Sequence, residues 1–422
     1  MKTCLRSSLL VLVAVSPVLS GCSIIGLHGH VRKLEDHGTI AVQVSPLPES
    51  GTPTYALAWR REDGRAKDSA GFQRVRPDGL AVFHLLADQA YSVGAFTDAN
   101  GNNEYDAGEM LGYVHDVKPA AMGDPEQRAR MIRVEMKRDH GLPPGTLIRV
   151  PKANDELGGA TSIALGDIAS VDESHFAPET GSGGLWRPLD FLRQNRTGIY
   201  FTEPYDPKRI PVVFVYGIGG SPQDWRYVMA HLDRTRYQVW FFHYPSGMRL
   251  AKVSHTLALG LDLLRQRHGF AKCYLVAHSM GGLVSRAAIC EAVSLAGRNF
   301  VPEFVSVSTP WGGHKAAESG IRYLRKPVPS WIDVAPGSEF LLGLYDTPLP
   351  KGTTHHLIYG SIEGEKFWMN EPNDGIVTVA SETDPRVVRN AASIRHLFRE
   401  HVEILDRPET LKLIERGLRP GE

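Results

Sequence analysis

The sequence predicts a two-part α/β architecture. A doubly wound, mostly parallel sheet is expected over residues 199–422, with a small all-β sandwich before it over residues 39–140. Three observations carry this. From Ile210 onward, short apolar runs alternate with segments of helical periodicity, the pattern of strands joined by crossover helices. Between Thr39 and Lys137 only short alternating runs occur, separated by turn residues every 10 to 25 positions. Near the middle of the second part, the apolar run Cys273-Tyr274-Leu275-Val276 leads through Ala277-His278-Ser279-Met280-Gly281-Gly282 into a helical pattern with Leu283, Val284, Ala287 and Ala288 on one face. That is a strand, a sharp turn and a helix. With 422 residues, 42 % apolar and 22 % charged, the chain is long enough for two domains of ordinary globular composition. Its formal charge of zero argues against a nucleic-acid surface.

The first residues read as a targeting signal. Lys2 and Arg6 form a positive n-region, and Leu9 to Leu19 an apolar stretch too short to span a bilayer. Leu19-Ser20-Gly21-Cys22 then resembles the lipobox of bacterial lipoproteins. The resemblance implies a signal peptide over residues 1–21, lipid on Cys22, and a tether over residues 22–38. Ser23 after the cysteine implies sorting to the outer membrane of a Gram-negative envelope. The alternative is a plain secretory signal that happens to contain a cysteine. Several acyl chains give stable anchoring where one gives marginal binding. Of the four cysteines, Cys273 and Cys290 flank the sharp turn and are expected as buried free thiols; no Cys/His cluster has zinc spacing.

Thr39-Ile40-Ala41-Val42-Gln43-Val44, Tyr55-Ala56-Leu57-Ala58-Trp59, Leu80-Ala81-Val82-Phe83, Tyr91-Ser92-Val93-Gly94-Ala95-Phe96 and Met131-Ile132-Arg133-Val134-Glu135-Met136 are the expected sandwich strands, antiparallel to one another. Within this domain, Asp98, Asn100, Asn102, Glu104, Asp106 and Glu109 fall at positions 1, 3, 5, 7, 9 and 12 of a loop, the ligand order of an EF-hand. Asn103 stands where that loop has glycine, and no helices are expected around it. The expectation is a structural calcium; the alternative is a polar hairpin turn. Residues 141–198, rich in Gly, Pro and acidic residues, read as a linker wrapping onto the second domain, with Trp186 and Phe191 as anchors, joined by Tyr200 and Phe201 just after it.

In the second domain, Pro211-Val212-Val213-Phe214-Val215-Tyr216 is a strand buried on both faces. Gln238-Val239-Trp240-Phe241-Phe242, Phe304-Val305-Ser306-Val307-Ser308 and His356-Leu357-Ile358-Tyr359-Gly360 are further strands. Leu250, Val253, Leu257, Leu261 and Leu264 mark a helix, Ala391 to Phe398 is expected as another, and Pro408 to Arg416 as the terminal one.

A serine hydroxyl is a weak nucleophile and needs a histidine base held by a carboxylate. After Ser279 the acid expected is Asp374, in the compact turn Asn373-Asp374-Gly375, with Asp333, Asp346 and Asp384 as rivals. The base expected is His401, in a loop before the terminal helix; His396 is the rival. Two backbone N–H groups must meet the developing oxyanion. Met280, next after the serine, is one; Ile218 in Tyr216-Gly217-Ile218-Gly219-Gly220 is the other, with Gly219 second.

Residues 199–417 resemble bacterial lipases and esterases of the α/β-hydrolase superfamily, close to the inositol-deacylase-like lipases. The resemblance rests on Pro211–Gly217, Gly220-Ser221-Pro222-Gln223-Asp224-Trp225, Tyr244-Pro245-Ser246-Gly247, Ala277–Gly282, Ser308-Thr309-Pro310-Trp311-Gly312-Gly313 and Asn373-Asp374-Gly375. It implies the nucleophile elbow with Ala277 in place of the first glycine, and the lipase oxyanion turn with Tyr216 in place of histidine. It also implies an ester or lipid substrate and no catalytic cofactor. An acyltransferase using the same triad, an amidase or peptidase on the same scaffold, and a non-catalytic adhesion or scaffold lipoprotein are the other readings. Residues 311–354, with Trp311, Tyr323, Leu324, Trp331, Phe340, Leu341, Leu342 and Leu344, are expected as a cap, its apolar residues either an acyl-chain lid or the cap's own core.

Overall fold

The structure, a computed structural model, describes residues 37–48, 52–62, 65–76, 79–87, 89–102, 104–119, 131–138, 141, 161–194, 197–323, 327–362 and 371–419. Cys22 and the signal and tether up to residue 36 lie outside the described residues. The chain forms two compact units. One holds the described residues up to 163 with 192–194, and the other holds 164–191 and the described residues from 197 on.

The first unit contains β1 (His37–Ser45), β2 (Thr54–Glu62), β3 (Arg65–Arg74), β4 (Leu80–Leu86), β5 (Tyr91–Thr97), β6 (Met110–Val117), β7 (Met131–Glu135), β8 (Lys137–Arg138) and β9 (Thr161–Ser162). A four-stranded sheet runs β7-β1-β4-β9 and a five-stranded sheet β3-β2-β5-β6-β8. Period-two alternation sends Ile40, Val42 and Val44 of β1, Phe83 and Leu85 of β4, Ala56 and Ala58 of β2 and Val93 and Ala95 of β5 into one shared core. The sheets are not purely antiparallel, because β1 pairs with β7 in parallel. Nor are the expected strands the full set. β3 and β6 are additional to them: β3 was hidden by its charged, unalternating sequence, which suits an edge strand, whereas β6 lies inside its sheet with Gly112, His115 and Asp116 breaking the apolar pattern.

The second unit is built on an eight-stranded sheet. Its strands are β10 (Ala164–Ile168), β11 (Gly198–Phe201), β12 (Ile210–Val215), β13 (Tyr237–His243), β14 (Tyr274–His278), β15 (Glu303–Val307), β16 (Thr354–Gly360) and β17 (Ser393–Leu397), in the order β10-β11-β13-β12-β14-β15-β16-β17. From β13 to β17 every pairing is parallel; β11 against β13 is antiparallel. Val212, Val213, Val215, Val239, Trp240, Phe241, Leu275 and Val276 are wholly buried, as continuous apolar runs in a two-sided sheet require.

The helices are α1 (Pro178–Trp186), α2 (Pro188–Gln194), α3 (Arg226–His231), α4 (Leu250–His268), α5 (Met280–Ala296), α6 (Lys315–Tyr323), α7 (Pro329–Val334), α8 (Glu339–Asp346), α9 (Val379–Glu382), α10 (Pro385–Val388) and α11 (Pro408–Gly417). In α4 the stripe Leu250, Val253, Leu257, Leu261 and Leu264 is buried.

Two expectations are corrected. The supposed linker carries the edge strand β10 and helix α1; Gly166, where the β10/β11 register shifts, interrupts the alternation that would have revealed the strand. Residues 393–397 are the edge strand β17, not part of a helix. Ile394 and Leu397, three apart, imitated helical spacing, and an edge strand has no second neighbour to demand a longer apolar run. The aromatic anchors do pack as expected: Phe201 stacks on Trp240 with centroids 3.9 Å apart, and Tyr200 on Phe241 at 5.5 Å. Cys273 and Cys290 are free thiols, but only Cys273 is buried; Cys290 is half-buried.

Candidate active site

In this sheet β12 has β13 on one side and β14 on the other. The chain therefore reverses its winding direction at β12, and a crevice opens beyond the carboxyl ends of β12 and β14. The Tyr216–Gly220 loop leaves β12 there, and Ser279 leaves β14.

Ser279 has φ 52° and ψ −132°, a conformation seldom adopted by a residue with a side chain. It is held by its N–H donating to the Val307 carbonyl at 2.9 Å, while its own carbonyl accepts from Gly282 N–H at 2.9 Å. The small residues around it are obligatory. A Cβ on Gly281 would lie 2.4 Å from the Tyr216 carbonyl oxygen, and one on Gly217 would lie 2.7 Å from Ser279 Cβ. Strand, loop and helix meet there at backbone contact.

His401 Nε2 lies 2.9 Å from Ser279 Oγ, and its Nδ1 is hydrogen-bonded to Asp374 Oδ2. All three side chains are buried. Asp374 sits in a turn after β16 and its Oδ1 accepts the amides of Ile376 at 3.0 Å and Val377 at 2.7 Å. The neighbouring Asn373 Oδ1 accepts the Gly375 amide at 2.8 Å, so the Asn-Asp-Gly turn holds its own shape. Burial pushes the Asp374 carboxyl up, but His401 and the two amides more than offset this and hold it below the usual carboxylate range. The His401 N–H donates to the Asp374 carbonyl at 2.9 Å, and the His401 carbonyl accepts from His278 Nε2 at 2.8 Å. Burial drives His278 down to about 3, with the nearby His401 acting in the same direction, so His278 stays neutral.

The rival acids and base are engaged elsewhere. Asp333 accepts the Leu250 amide at 2.6 Å and pairs with Arg249. Asp384 caps α10 and binds Arg386. Asp346 is the last residue of α8. His396 bonds Ser361 Oγ at 2.7 Å from the edge strand.

The oxyanion loop is clasped to the end of β13. Tyr244 N–H donates to the Tyr216 hydroxyl at 2.7 Å, Tyr244 hydroxyl to the Tyr216 carbonyl at 2.6 Å, and Tyr216 hydroxyl to the Tyr244 carbonyl. Ser246 Oγ accepts the Gly219 amide at 2.9 Å. That bond commits Gly219, the second-choice donor. Among the described residues no protein acceptor takes the Ile218 or Met280 amide. Met280 also opens α5, whose N-terminal dipole favours negative charge at this point. The clasp was invisible in the sequence, although Tyr244-Pro245-Ser246-Gly247 stood out as a motif.

The segment between β15 and β16 is helical, α6 to α8, and several of its apolar residues are buried: Trp311 packs edge-on against Phe304 and His355 of the sheet, Leu341 and Leu344 are buried, and Trp331 packs edge-on against Trp186 of α1 at 5.7 Å. Leu342 and Ile332 face outward, and so do Phe398 and Val402, close to His401 in the chain.

The loop Asp98–Glu109 is brought together only in part. Glu109 accepts the amides of Ala99 at 2.6 Å and Asp106 at 3.0 Å, and Asp106 accepts the side-chain amides of Asn100 at 2.7 Å and Asn102 at 2.6 Å. Asp98 accepts the Asn102 amide at 3.1 Å, and the Glu104 N–H donates to Asn102 Oδ1 at 2.8 Å. The carboxylates of Asp98, Asp106 and Glu109 thus face loop amides. Among the described residues only Asp374, Glu382 and His401 place three ionisable ligand groups within 4.8 Å of one another. Glu382 had no signal in the sequence.

The α/β hydrolase fold family matches residues 210–334. With the parallel sheet, the reversal at β12 and the elbow after β14, the second unit has the α/β-hydrolase fold. Comparison with curated proteins finds no match. Among solved structures, the mature lipase BlEst2 of Bacillus licheniformis is similar at 20 % identity, covering 52 % of this chain and 96 % of that one, with a TM-score of 0.42. A Listeria innocua protein aligns at 16 % identity over 51 % of this chain and 95 % of its own, with a TM-score of 0.39. Aspergillus fumigatus lipase B aligns at 15 % identity over 47 % and 48 %, with a TM-score of 0.34.

Proposed function

We propose that the protein is a serine hydrolase that cleaves carboxylic esters through an acyl-enzyme. The observation that carries this reading is the hydrogen-bonded series Ser279–His401–Asp374 at the mouth of a strained turn. Ser279 Oγ attacks the ester carbonyl while His401 Nε2 takes its proton. The tetrahedral oxyanion is met by the Ile218 and Met280 amides. Collapse expels the alcohol, which receives the proton from His401. Water, deprotonated by the same ring, then releases the acid and restores Ser279. Asp374 holds Nδ1–H and stabilises the imidazolium throughout. Each preorganised amide is of the kind whose removal costs roughly 10²–10³ in turnover. The outward Phe398 and Val402, close to His401 in the chain, with Leu342 and Ile332 on the segment 311–354, favour a substrate with an apolar acyl chain. The test is a panel of p-nitrophenyl esters of increasing chain length, phospholipids and matched amides. Ester turnover exceeding amide turnover at every chain length supports the reading; amide preference would reassign the enzyme as an amidase.

The lipobox-like Leu19-Ser20-Gly21-Cys22 supports anchoring of the protein by lipid at Cys22, on the outer membrane of the bacterial envelope. Cys22→Ala is expected to move the protein from the membrane to the soluble fraction and abolish acyl labelling. Unchanged fractionation would refute the anchor.

The order of oxygen donors from Asp98 to Glu109 supports a structural calcium in the first unit. An all-oxygen donor set suits a hard cation, and binding to the folded state alone would stabilise it by about 2.7 kcal/mol at a hundredfold excess over Kd. Calcium should raise the melting temperature of the wild-type protein, and the rise should vanish in the double variant Asp98→Ala, Glu109→Ala. Identical melting curves in calcium and chelator would leave a polar turn.

A further inference from the structure

Behind the triad lies a carboxyl group that the proposed reaction does not use. Glu382 ends the short helix α9 and is 1 % exposed. Its nearest groups come from three separate elements. Gly360 N–H, at the end of β16, reaches Oε1 at the long distance of 3.5 Å. Ser308, just past β15, and Asp374, in the turn after β16, face the carboxyl. Ligand atoms of Glu382, Asp374 and His401 all lie within 4.8 Å of one another. Among the described residues Oε2 and Ser308 Oγ have no hydrogen-bond partner. The largest influences on the Glu382 carboxyl include no lysine or arginine.

Two carboxylates this close, out of water and sharing only one potential cation, cannot both be ionised without severe repulsion. Asp374 is the one stabilised as an anion, because it accepts two backbone amides and His401 Nδ1–H. Glu382 has one long N–H contact and a Ser308 hydroxyl that faces it without closing a hydrogen bond, and burial beside the Asp374 charge outweighs both. Its terminal torsion is soft, and a modest rotation turns an O–H toward Asp374.

We propose that Glu382 is a neutral carboxylic acid at working pH and a positioning residue of the triad, donating its O–H to the Asp374 carboxylate. The proposal rests on the Ser279–His401–Asp374 reading. Burial, with the Asp374 charge beside it, pushes the Glu382 carboxyl well above its ordinary range, in line with this state. As a donor it restrains the Asp374 side chain and draws negative charge from it. The imidazolium that forms during catalysis is then stabilised without the free ring being held permanently protonated.

The test compares Glu382→Gln and Glu382→Leu with wild type on a soluble p-nitrophenyl ester, as full pH profiles. Gln keeps a donor and the neutral charge. It is expected to keep kcat within roughly threefold and to leave the acid limb of kcat/KM in place. Leu removes the donor. It is expected to lower kcat roughly tenfold with little change in KM and to move the acid limb to higher pH. If Glu382 were a carboxylate, Gln would delete a negative charge beside the triad and move the acid limb to lower pH; that result overturns the proposal. Should Glu382→Leu fail to fold, infrared spectroscopy decides independently of activity: the carbonyl band of a buried protonated carboxylic acid should be present in wild type and lost in Glu382→Gln. Absence of that band in wild type, or a stoichiometric metal ion whose chelation abolishes activity, also overturns it. Full activity in Ser279→Ala would sink the triad reading itself. A dead Ser279→Ala with an unaltered Glu382→Leu profile would sink only the role given to Glu382.

Discussion

Ser279→Ala is expected to reduce ester hydrolysis by up to roughly 10⁶, leaving only what binding and the oxyanion amides provide. The reasoning is local. Among the described residues the Ser279 hydroxyl has one hydrogen-bond partner, His401 Nε2 at 2.9 Å, so its loss leaves the surrounding hydrogen bonds in place. The backbone that keeps φ at 52° is fixed by the bond to Val307 and by the close packing of Gly281 on Tyr216, neither of which needs the oxygen. Melting temperature and circular dichroism should therefore match wild type. Retention of more than about a tenth of the wild-type rate would place the nucleophile on another residue.

His401→Ala is expected to be nearly as damaging, because members of a triad act as a unit and the loss of one forfeits most of the gain from the others. His396→Ala is the control, and its effect should be small. His396 lies on the edge strand β17, is exposed, bonds Ser361 and stacks on Tyr359 with centroids 4.8 Å apart. His401 by contrast is buried, with Ser279 on one ring nitrogen and Asp374 on the other. Measuring kcat/KM for both variants on one soluble ester separates the two. A mild His401→Ala and a dead His396→Ala would transfer the base to the edge strand.

Much of this site was legible in the sequence because its parts are locally constrained. An elbow needs small residues around the serine, and Ala277, Gly281 and Gly282 stand in the sequence as such. An Asn-Asp-Gly turn in the connection that follows an apolar strand puts its acid at the sheet's carboxyl edge, where Asp374 is found. The groups that escaped notice act through space. Tyr216 and Tyr244 clasp each other because β12 and β13 are neighbours in the sheet, and nothing in either segment alone encodes that adjacency. Glu382 looks like any acidic residue at a helix end; its burial is set by β15, β16 and the Asp374 turn together. The same holds for the fold. Buried central strands announced themselves as apolar runs, whereas β3, β10 and β17 sit at sheet edges, where pairing on one side tolerates charge, a glycine bulge or accidental helical spacing.

The most direct test of the central claim is covalent trapping of the nucleophile. The full-length protein would be treated with a fluorophosphonate, its intact mass measured, and the modified peptide sequenced. The account predicts a single adduct on Ser279, formed in step with loss of esterase activity and absent from Ser279→Ala and greatly slowed in His401→Ala. An adduct on another serine, or complete inactivation with Ser279 unmodified, would contradict it.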